Sequence, residues 1–452
     1  MLINVSVQNF KSFDDMTELS MISSSKERDN KKHRVKIKQA NILKHGVVYG
    51  ANASGKSNLV TVFKLIKATL HAGLPIDSIN DFCRNKEENK EKESIFEIQF
   101  TVEDKFYAYG FSAILSERRI TEEWLYELLQ DGSSNNLFLR NADSVVNLGE
   151  TVKANENELN RFLVYAEDFK GNSSQLFLAE MNRGKKYEDN SKLRFFESVF
   201  NWINNNIIVI DPNNGISSID TYYNAESLEK VSELIKTFDT GITNVSTRII
   251  SIDEFKNMVP ADILSDIFDS LRKQMQETSL PKIQVSLRAN GGFFNVRIIG
   301  NKEPEISTLV LKHGNSFFDY SFGEESDGTR RLFDLIDILV TKREDTIFVI
   351  DELERSLHPK LTERFLEYFM EAHKNTRMQM LFTTHENSIM NQGLFRRDEI
   401  WFVERDSNNA SNIYSLDKFK ERYDKDLSKA YLDGRYGAIP VFKSFSFDEE
   451  GD

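Results

Sequence analysis

Hydrophobic and polar residues alternate at the start of the chain. Val5 and Val7 stand between polar neighbours, and the alternation ends at the segment 9–13, Asn-Phe-Lys-Ser-Phe. A period of two residues is that of a β-strand, so the pattern predicts an N-terminal strand. The elements expected next are an exposed, lysine-rich loop over 22–39, a short buried strand over 46–49, a glycine-bearing loop over 50–57 and a helix over 58–70.

The periodicity changes twice in the middle of the chain. Aromatic and β-branched runs separated by polar turns predict an antiparallel meander at 95–100, 106–114, 119–128 and 136–139. Helical periodicity dominates from residue 155 to about 275, for example at 225–238 and 261–277. A second antiparallel stretch is expected at 282–288, 293–299, 308–311 and 317–322, and from Arg330 onward helices alternate with strands.

Composition and charge exclude several classes of protein. The 452 residues suggest two or three domains, and 40% hydrophobic with 29% charged residues is ordinary for a globular protein. A net charge of −13 argues against a protein that coats nucleic acid non-specifically. The single cysteine, Cys83, excludes an intramolecular disulfide and a cysteine-based zinc site. No apolar run approaches the roughly 18 residues of a membrane span and no signal peptide is recognisable, so a cytoplasmic protein without a membrane partner is expected.

The segment 50–57, Gly-Ala-Asn-Ala-Ser-Gly-Lys-Ser, fits the phosphate-binding pattern G-x-x-x-x-G-K-[ST] between a predicted strand and a predicted helix. Glycines let backbone N–H groups turn toward phosphate oxygens, and the helix N-terminus adds a positive dipole end. Lys56 would reach the β- and γ-phosphates of ATP, and the Ser57 hydroxyl would coordinate Mg²⁺. The alternative is an ordinary glycine turn. The expected nucleotide contacts of this segment are Gly50, Asn52, Ala53, Ser54, Gly55, Lys56, Ser57 and Asn58.

Two carboxylates follow another apolar run. Residues 346–350 are typical of a strand buried on both faces, and Asp351 and Glu352 stand at its C-terminal end, where α/β sheets bind ligands. Asp351 would hold the Mg²⁺, directly or through water, and Glu352 would polarise the attacking water. The alternative is an acidic strand end that caps the next helix, which fits less well in a chain that has the phosphate-binding pattern.

Two further patterns gain meaning from their position relative to these motifs. The segment 322–331 is by itself a polar turn before a helix, with Ser326 and Gly328 as capping residues. Because it lies just upstream of Asp351, it resembles the S-x-G signature of ABC-type ATPases, in which one subunit binds the γ-phosphate held by the other. His385 ends an apolar strand and resembles the switch histidine of that family, which senses the γ-phosphate; a lone histidine at a strand end is otherwise usually structural.

The order of phosphate loop, long insertion, signature, Asp-Glu pair and histidine resembles that of ABC/SMC-type ATPases over nearly the whole chain. The segment 9–13 resembles the N-F-[KR]-[SC]-F opening of SMC-, RecF- and OLD-type ATPases, and Lys11 joins the expected nucleotide contacts. Residues 351–359 resemble the OLD-like version and include the position of the family's D-loop. The segments 396–404 and 434–440 resemble the narrower AAA15/OLD-like group of the RloA and AbiLii kind, with the anti-phage AriA subunit as a relative.

Departures from the family narrow the expectation. Glu325 stands before the signature serine where transporter ATPases have an apolar residue, and Thr329 stands where they have glutamine, which argues against a transporter subunit. The Q-loop glutamine is not placed, and Gln175 is one candidate. The insertion lacks the long coiled coil of an SMC arm. The segment after His385 is shorter than a typical domain of ~100 residues and has no paired D-x-D, so a TOPRIM nuclease domain is not expected.

The resemblance implies an α/β fold, a P-loop NTPase of ABC/SMC-head type with an antiparallel β subdomain and an inserted helical lobe. The expected domains are an N-terminal ATPase lobe (1–150), an inserted, mostly helical lobe (151–280) and a C-terminal ATPase lobe (281–452). We expect a homodimer or higher homo-oligomer that hydrolyses ATP with Mg²⁺ and acts as a switch in an anti-phage or restriction-linked defence system. It would control a separate nuclease or toxin from the same operon, with a DNA or phage-protein trigger left open. The alternative is a RecF-like DNA-binding ATPase in repair, with a basic groove that uses Arg330, Arg331, Lys342 and Arg343.

Overall fold

The computed structural model describes residues 1–27, 30–211, 222–259, 264, 268, 271, 282–289, 292–300, 302–419 and 426–440. Their contacts divide the chain into two compact units, Met1–Asp211 with Arg343–Leu353 and His373–Asp452, and Pro212–Lys342 with Glu354–Ala372. The strands of the described residues are β1 (Leu2–Gln8), β2 (Thr17–Ser20), β3 (Arg34–Ile37), β4 (Ala40–Leu43), β5 (His45–Tyr49), β6 (Ser94–Val102), β7 (Lys105–Ile114), β8 (Arg119–Leu128), β9 (Ser134–Arg140), β10 (Val146–Leu148), β11 (Ile207–Ile210), β12 (Ile242–Ile250), β13 (Lys282–Ala289), β14 (Gly292–Ile299), β15 (Glu305–His313), β16 (Tyr320–Ser321), β17 (Ile347–Ile350), β18 (Gln379–Thr383), β19 (Ile400–Arg405) and β20 (Ser411–Ser415). The α-helices of the described residues are α1 (Lys56–Ala72), α2 (Glu156–Asp168), α3 (Phe177–Glu180), α4 (Phe195–Asn201), α5 (Ala225–Lys236), α6 (Ile252–Met258), α7 (Asp327–Val340), α8 (Pro359–Ala372) and α9 (Leu427–Leu432).

The first unit contains a mixed sheet whose order, among the described residues, is β11-β17-β18-β5-β19-β20. The strands from β11 to β19 in this order run parallel, and β20 is antiparallel to β19. β17 is buried throughout, as the continuous apolar run at 346–350 predicts, and so is β18. Because β18 lies between β5 and β17, the C-terminal ends of these strands meet at one edge of the sheet. At that edge the segments 50–57 and 351–352 follow β5 and β17, and the segment 383–385 begins with the last residue of β18.

The other large sheet of the first unit is antiparallel, with the order β10-β9-β8-β7-β6-β1-β2 in the described part of the chain. The predicted meander is confirmed as β6 to β9, and the predicted N-terminal strand is confirmed as β1. Alternation is typical of a half-buried strand, yet Asn4 and Ser6 are only 9% and 5% exposed. Asn4 Nδ2 donates to Ser6 Oγ at 3.0 Å, which satisfies polar groups on a face that the sheet buries.

Two expectations for the first unit are wrong in part. The stretch 22–39 is not a continuous exposed loop, because it contains a 3₁₀ helix at Lys31–His33 and the strand β3, which pairs with β4. Val35 and Ile37 alternate with lysines there, and this short strand signal is masked by the charged composition. The stretch expected to be mostly helical contains β11, which has four β-branched residues in a row and pairs with β17.

The second unit is built around a sheet of order β12-β15-β14-β13 among its described residues, with β16 paired to β15. The helix expected over 225–238 is confirmed as α5. β12 lies inside the stretch expected to be helical. The sequence did not predict this strand because its pairing with β15 is a contact between residues far apart in sequence. The predicted strand over 317–322 shrinks to the two residues of β16, and Phe317 and Phe318 are 99% and 84% exposed.

Each unit has its own buried apolar cluster. In the second unit this cluster includes Phe255, Phe294 and Val296. The predicted helix over 261–277 lies outside the described residues, apart from Leu264, Phe268 and Leu271, which belong to the cluster or pack on it. Among the described residues, no helix combines the length and the apolar character needed to cross a membrane.

Candidate nucleotide and magnesium site

The loop between β5 and α1 requires glycine at two positions. Gly55 has a φ of 112°, in the left-handed region, and a Cβ there would collide with the hydroxyl oxygens of Ser411 and Ser12. A Cβ on Gly50 would collide with the carbonyl oxygen of Val403. The packing at both positions therefore excludes any residue with a Cβ, as expected for a phosphate loop.

Lys56 begins α1 and is only 5% exposed. Its ammonium donates to the carbonyl oxygens of Gly50 at 2.8 Å and Ala51 at 3.0 Å, and His385 Nδ1 lies 3.5 Å from the same nitrogen. Burial, and after it the charge of Lys56, lower the pKa of His385 below its ordinary value, so its imidazole is neutral at neutral pH. The structure thus brings together the lysine expected on the phosphates and the histidine expected to sense the γ-phosphate.

Ser57 and Asp351, the two residues expected to hold Mg²⁺, are in direct contact. Ser57 Oγ donates to Asp351 Oδ1 at 3.1 Å. Thr383 Oγ1 donates to the same carboxylate oxygen at 2.6 Å and accepts the N–H of Glu352 at 2.8 Å. Carboxylate and hydroxyl oxygens at this separation are ligands that Mg²⁺ prefers, so the residues present fit the ion.

Glu352 occupies an unusual backbone conformation. Its φ is 48°, a left-handed value that is uncommon for a residue other than glycine. The following residue, Leu353, donates its N–H to the carbonyl oxygen of Thr383 at 3.1 Å, so β18 holds both sides of this turn. Strain of this kind is found at functional sites, where the surrounding structure fixes it.

Two serines connect the segment 9–13 to the phosphate loop. Ser12 Oγ accepts a hydrogen bond from Asn58 Nδ2 at 2.7 Å, and Ser411 Oγ lies 2.7 Å from the same oxygen. Ser411 Oγ also donates to the carbonyl oxygen of Ser54 at 2.5 Å. Sequence reasoning did not find Ser411 or Thr383, because neither belongs to a recognised motif and each reaches the site only through the strand order.

The loop also leaves a polar atom that a ligand would satisfy. Ser54 Oγ is buried and, within the part of the chain that the structure describes, has no hydrogen-bond partner. Buried hydroxyls are normally paired, so a phosphate oxygen at this loop would complete its hydrogen bonding. Asn52 and Ala53 at the tip of the loop are exposed, and Ala53 has a φ of 61°.

Lys11, another expected nucleotide contact, is held in an ion pair. Its ammonium lies 2.8 Å from Asp81 Oδ1, and its backbone N–H donates to the Asp81 carbonyl oxygen at 2.6 Å. The two side chains are 29% and 26% exposed. Contact between Lys11 and a phosphate would therefore require the lysine to leave Asp81.

Ser326 and Gly328 lie in the second unit, at the N-terminus of α7. Ser326 caps this helix, since its Oγ accepts the N–H of Thr329 at 3.1 Å, and its side chain is exposed. A Cβ on Gly328 would lie 2.7 Å from the carbonyl oxygen of Ser356, so the close approach of the backbone at Ser356 requires glycine there. Ser356 itself has a φ of 63°. Glu325 accepts a 2.6 Å hydrogen bond from His313 Nε2.

The cations named for a DNA-binding groove have other roles. Arg331 is only 6% exposed and cannot line an open groove, so that part of the prediction is wrong. Arg330 pairs with Asp327, Lys342 pairs with Glu226 at 3.0 Å, and Arg343 donates to the carbonyl oxygen of Asn205 at 2.7 Å. These contacts do not favour the DNA-binding alternative.

The sequence model of a protein family described as "AAA domain, putative AbiEii toxin, Type IV TA system" matches residues 167–391, just under half of the chain. Among solved structures, the chain is similar to an Smc head bound to the C-winged helix domain of ScpA, at 15% identity and a TM-score of 0.37, covering 92% of this chain and 97% of that one. It is also similar to the SMC head domain from Thermotoga maritima, at 13% identity and a TM-score of 0.33, covering 92% and 98%. No curated protein matches the chain in sequence. The strand order and the phosphate loop define an α/β fold of the P-loop NTPase class, and the family match over residues 167–391 supports an ATPase domain of the AAA kind.

Proposed function

We propose that this chain binds ATP with Mg²⁺ and hydrolyses it in a sandwich of two chains. Each site would combine the phosphate loop, Asp351, Glu352 and His385 of one chain with Ser326 and Gly328 of the other. The contact of Ser57 Oγ with Asp351 Oδ1 carries the proposal, because it joins the two expected Mg²⁺ ligands from distant parts of the sequence.

The described side chains match the needs of phosphoryl transfer to water, which are positioning and charge neutralisation rather than covalent chemistry. Ser57 and Asp351 would hold Mg²⁺, which neutralises charge on the β- and γ-phosphates. Lys56 now donates to two loop carbonyls and would redirect its hydrogen bonds to phosphate oxygens. Glu352 would orient the attacking water, and the neutral His385 would donate a hydrogen bond to the γ-phosphate.

The test is mass photometry and phosphate release for the wild type and Glu352→Gln, with and without ATP and Mg²⁺. Glu352→Gln should lower phosphate release by about 100-fold or more, since it removes the group that activates water. It should also form a stable dimer or larger assembly only with ATP. Glu117→Gln, at an exposed carboxylate paired with Arg119, is the control and should behave like the wild type.

Other outcomes would count against specific parts of the proposal. If neither the wild type nor Glu352→Gln releases phosphate, hydrolysis at this site is refuted. If both assemble equally without ATP, nucleotide does not drive association, and a preformed scaffold becomes the better description.

We further propose that this ATPase acts in the cytoplasm as a defence switch of the AAA15/OLD-like group and controls a toxin or nuclease partner. The support is the matched family description, which names a toxin and a toxin–antitoxin system, together with the resemblance of the segments 396–404 and 434–440. A partner encoded beside this chain should co-purify with it, and deletion of the gene should lower phage resistance. Absence of a partner together with unchanged resistance would refute this role.

A further inference from the structure

Two histidines and a glutamate converge in the first unit, at the opposite end of β5 from the phosphate loop. His45 is the first residue of β5, His33 is the last residue of a 3₁₀ helix, and Glu399 ends another 3₁₀ helix just before β19. Each offers one donor atom, and these atoms all lie within 4.8 Å of one another. Three segments that are distant in sequence therefore bring metal-ligand side chains to one point.

All three side chains are buried. His45 is 1% exposed, Glu399 is 0% exposed and His33 is 8% exposed. Glu399 Oε2 lies 2.9 Å from His33 Nδ1, and Glu399 Oε1 lies 4.0 Å from His45 Nδ1. The cluster is thus shielded from solvent, and His33 is the most exposed of its three residues.

We propose that His33, His45 and Glu399 form a binding site for a divalent transition-metal ion, with Zn²⁺ as the expected occupant. Two imidazole nitrogens and one carboxylate oxygen are an established zinc donor set, with water in the fourth position, whereas Mg²⁺ and Ca²⁺ prefer oxygen ligands alone. Two ligands each about 2.1 Å from one tetrahedral ion are about 3.4 Å apart. The distances from Glu399 to the two histidine nitrogens, 2.9 Å and 4.0 Å, lie on either side of this value. Small shifts of the side chains would therefore bring the donors onto an ion.

The electrostatics of the pocket fit the same occupant. Burial lowers the pKa of His45 well below its ordinary value, which keeps the imidazole in the neutral form that binds metals. Glu399 is fully buried, and a dication would stabilise a carboxylate that is costly to bury alone. The guanidinium of Arg396, the N-cap residue of that 3₁₀ turn, is directed to Asp398 at 2.7 Å, and its backbone N–H donates to Glu399 Oε2 at 2.8 Å.

Such an ion would connect His33 and the start of β5 to the turn that leads into β19. Since β5 carries the phosphate loop at its other end, the ion would stabilise the strand without touching the nucleotide. The site is independent of the proposed ATPase activity, and its test needs no hydrolysis.

The experiment measures zinc bound to the chain purified without a metal-affinity tag and kept in excess Mg²⁺, so that Ser57 and Asp351 do not retain zinc. We expect one zinc per wild-type chain, and a strong chelator should lower Tm until Zn²⁺ is restored. His33→Gln should lower the zinc affinity by about tenfold or more, since loss of a supporting residue alone costs about that much. His71→Gln, at an exposed histidine of α1, should retain the zinc.

If the wild type holds no zinc and Zn²⁺ changes the Tm of wild type and His33→Gln equally, the metal site is refuted and the cluster is a hydrogen-bonded His-Glu pair. Should His33→Gln fail to fold, competition of the wild type against a coloured chelator decides. Withdrawal of one Zn²⁺ per chain from the chelator supports the site, and no withdrawal refutes it.

Discussion

Thr383 Oγ1 donates a 2.6 Å hydrogen bond to Asp351 Oδ1, so the carboxylate expected to hold Mg²⁺ is oriented from the neighbouring strand. The same hydroxyl oxygen accepts the N–H of Glu352. Because β18 lies between β5 and β17, its last residue is placed where it contacts the turn after β17. One side chain therefore fixes both acidic residues of the candidate site.

Thr383→Val should lower the rate of ATP hydrolysis while leaving the fold intact. The variant keeps the side-chain shape, but it removes the donor to Asp351 and leaves the Glu352 N–H without its acceptor. An unsatisfied buried group costs about 1–3 kcal/mol, which corresponds to a kcat lower by about 5- to 160-fold if the cost falls on the transition state. Steady-state phosphate release at saturating ATP, together with a Mg²⁺ titration, measures the change.

Thr362→Val is the matched control for this prediction. Thr362 lies in α8, is fully buried, and its hydroxyl has no hydrogen-bond partner among the described residues. The same substitution there removes no hydrogen bond, so kcat should stay close to wild type and Tm should not fall. Equal kcat values for the two variants would show that the Thr383 hydroxyl does not position the site.

Ser411→Ala should weaken ATP binding. Ser411 Oγ contacts both Ser12 Oγ and the carbonyl oxygen of Ser54, so its loss loosens the loop that receives the phosphates. Loss of about 1 kcal/mol of support would raise the Kd for a non-hydrolysable ATP analogue by about fivefold, as measured by calorimetry. Ser415→Ala, at the other end of β20, is the control. Indistinguishable Kd values for the two variants would refute a supporting role for Ser411.

The local motifs of the candidate site could be predicted from sequence, whereas its supporting contacts could not. Gly55 and the Asp351-Glu352 pair stand within short patterns whose strand-loop-helix context is visible along the chain. Thr383 and Ser411 reach the site because β18 and β20 take particular places in the sheet, and no local pattern encodes strand order. The ion pair of Lys11 with Asp81 is likewise a contact between residues distant in sequence.

Parts of the fold could not be predicted from the sequence for the same physical reason. β11 and β12 interrupt a stretch whose residues favour helix, because each strand is stabilised by pairing with a distant partner, β17 and β15. Periodicity correctly indicated α5 and the meander from β6 to β9, whose partners are neighbours in sequence. Burial of Arg331 could not be predicted from its charged neighbours, since arginine is usually exposed.

Lys44 gives the chain a pH-dependent contribution to stability. Its ammonium donates to the carbonyl oxygens of His373 at 2.6 Å and Lys374 at 3.0 Å, and burial lowers its pKa to about 8. The pKa of lysine in an unfolded chain is about 10.4. Between these two values the unfolded chain binds more protons than the folded one, so this residue makes the free energy of unfolding rise with pH.

Urea unfolding from pH 8 to about pH 10 measures this effect against Lys44→Met. The wild type should gain stability relative to the variant as pH rises through this range. Lys36→Met, at an exposed lysine of β3, is the control and should run parallel to the wild type. A difference between wild type and Lys44→Met that stays constant with pH would contradict the lowered pKa.

Mixing two inactive variants tests whether Ser326 acts on the nucleotide of the partner chain. Lys56→Ala should disable the phosphate loop and Ser326→Arg should disable the signature, so each variant alone should release little phosphate. In an equal mixture of freely exchanging dimers, about half are heterodimers, and each has one site built from an intact loop and an intact signature. The mixture should then recover about a quarter of the wild-type rate if the sites act independently.

Lys56→Ala mixed with Asp351→Asn is the control, because both substitutions damage the same half of the site and no dimer has an intact one. Recovery in neither mixture would mean that Ser326 does not complete a site across the interface, and the sandwich would have to be abandoned even if the ATPase activity of the chain is real.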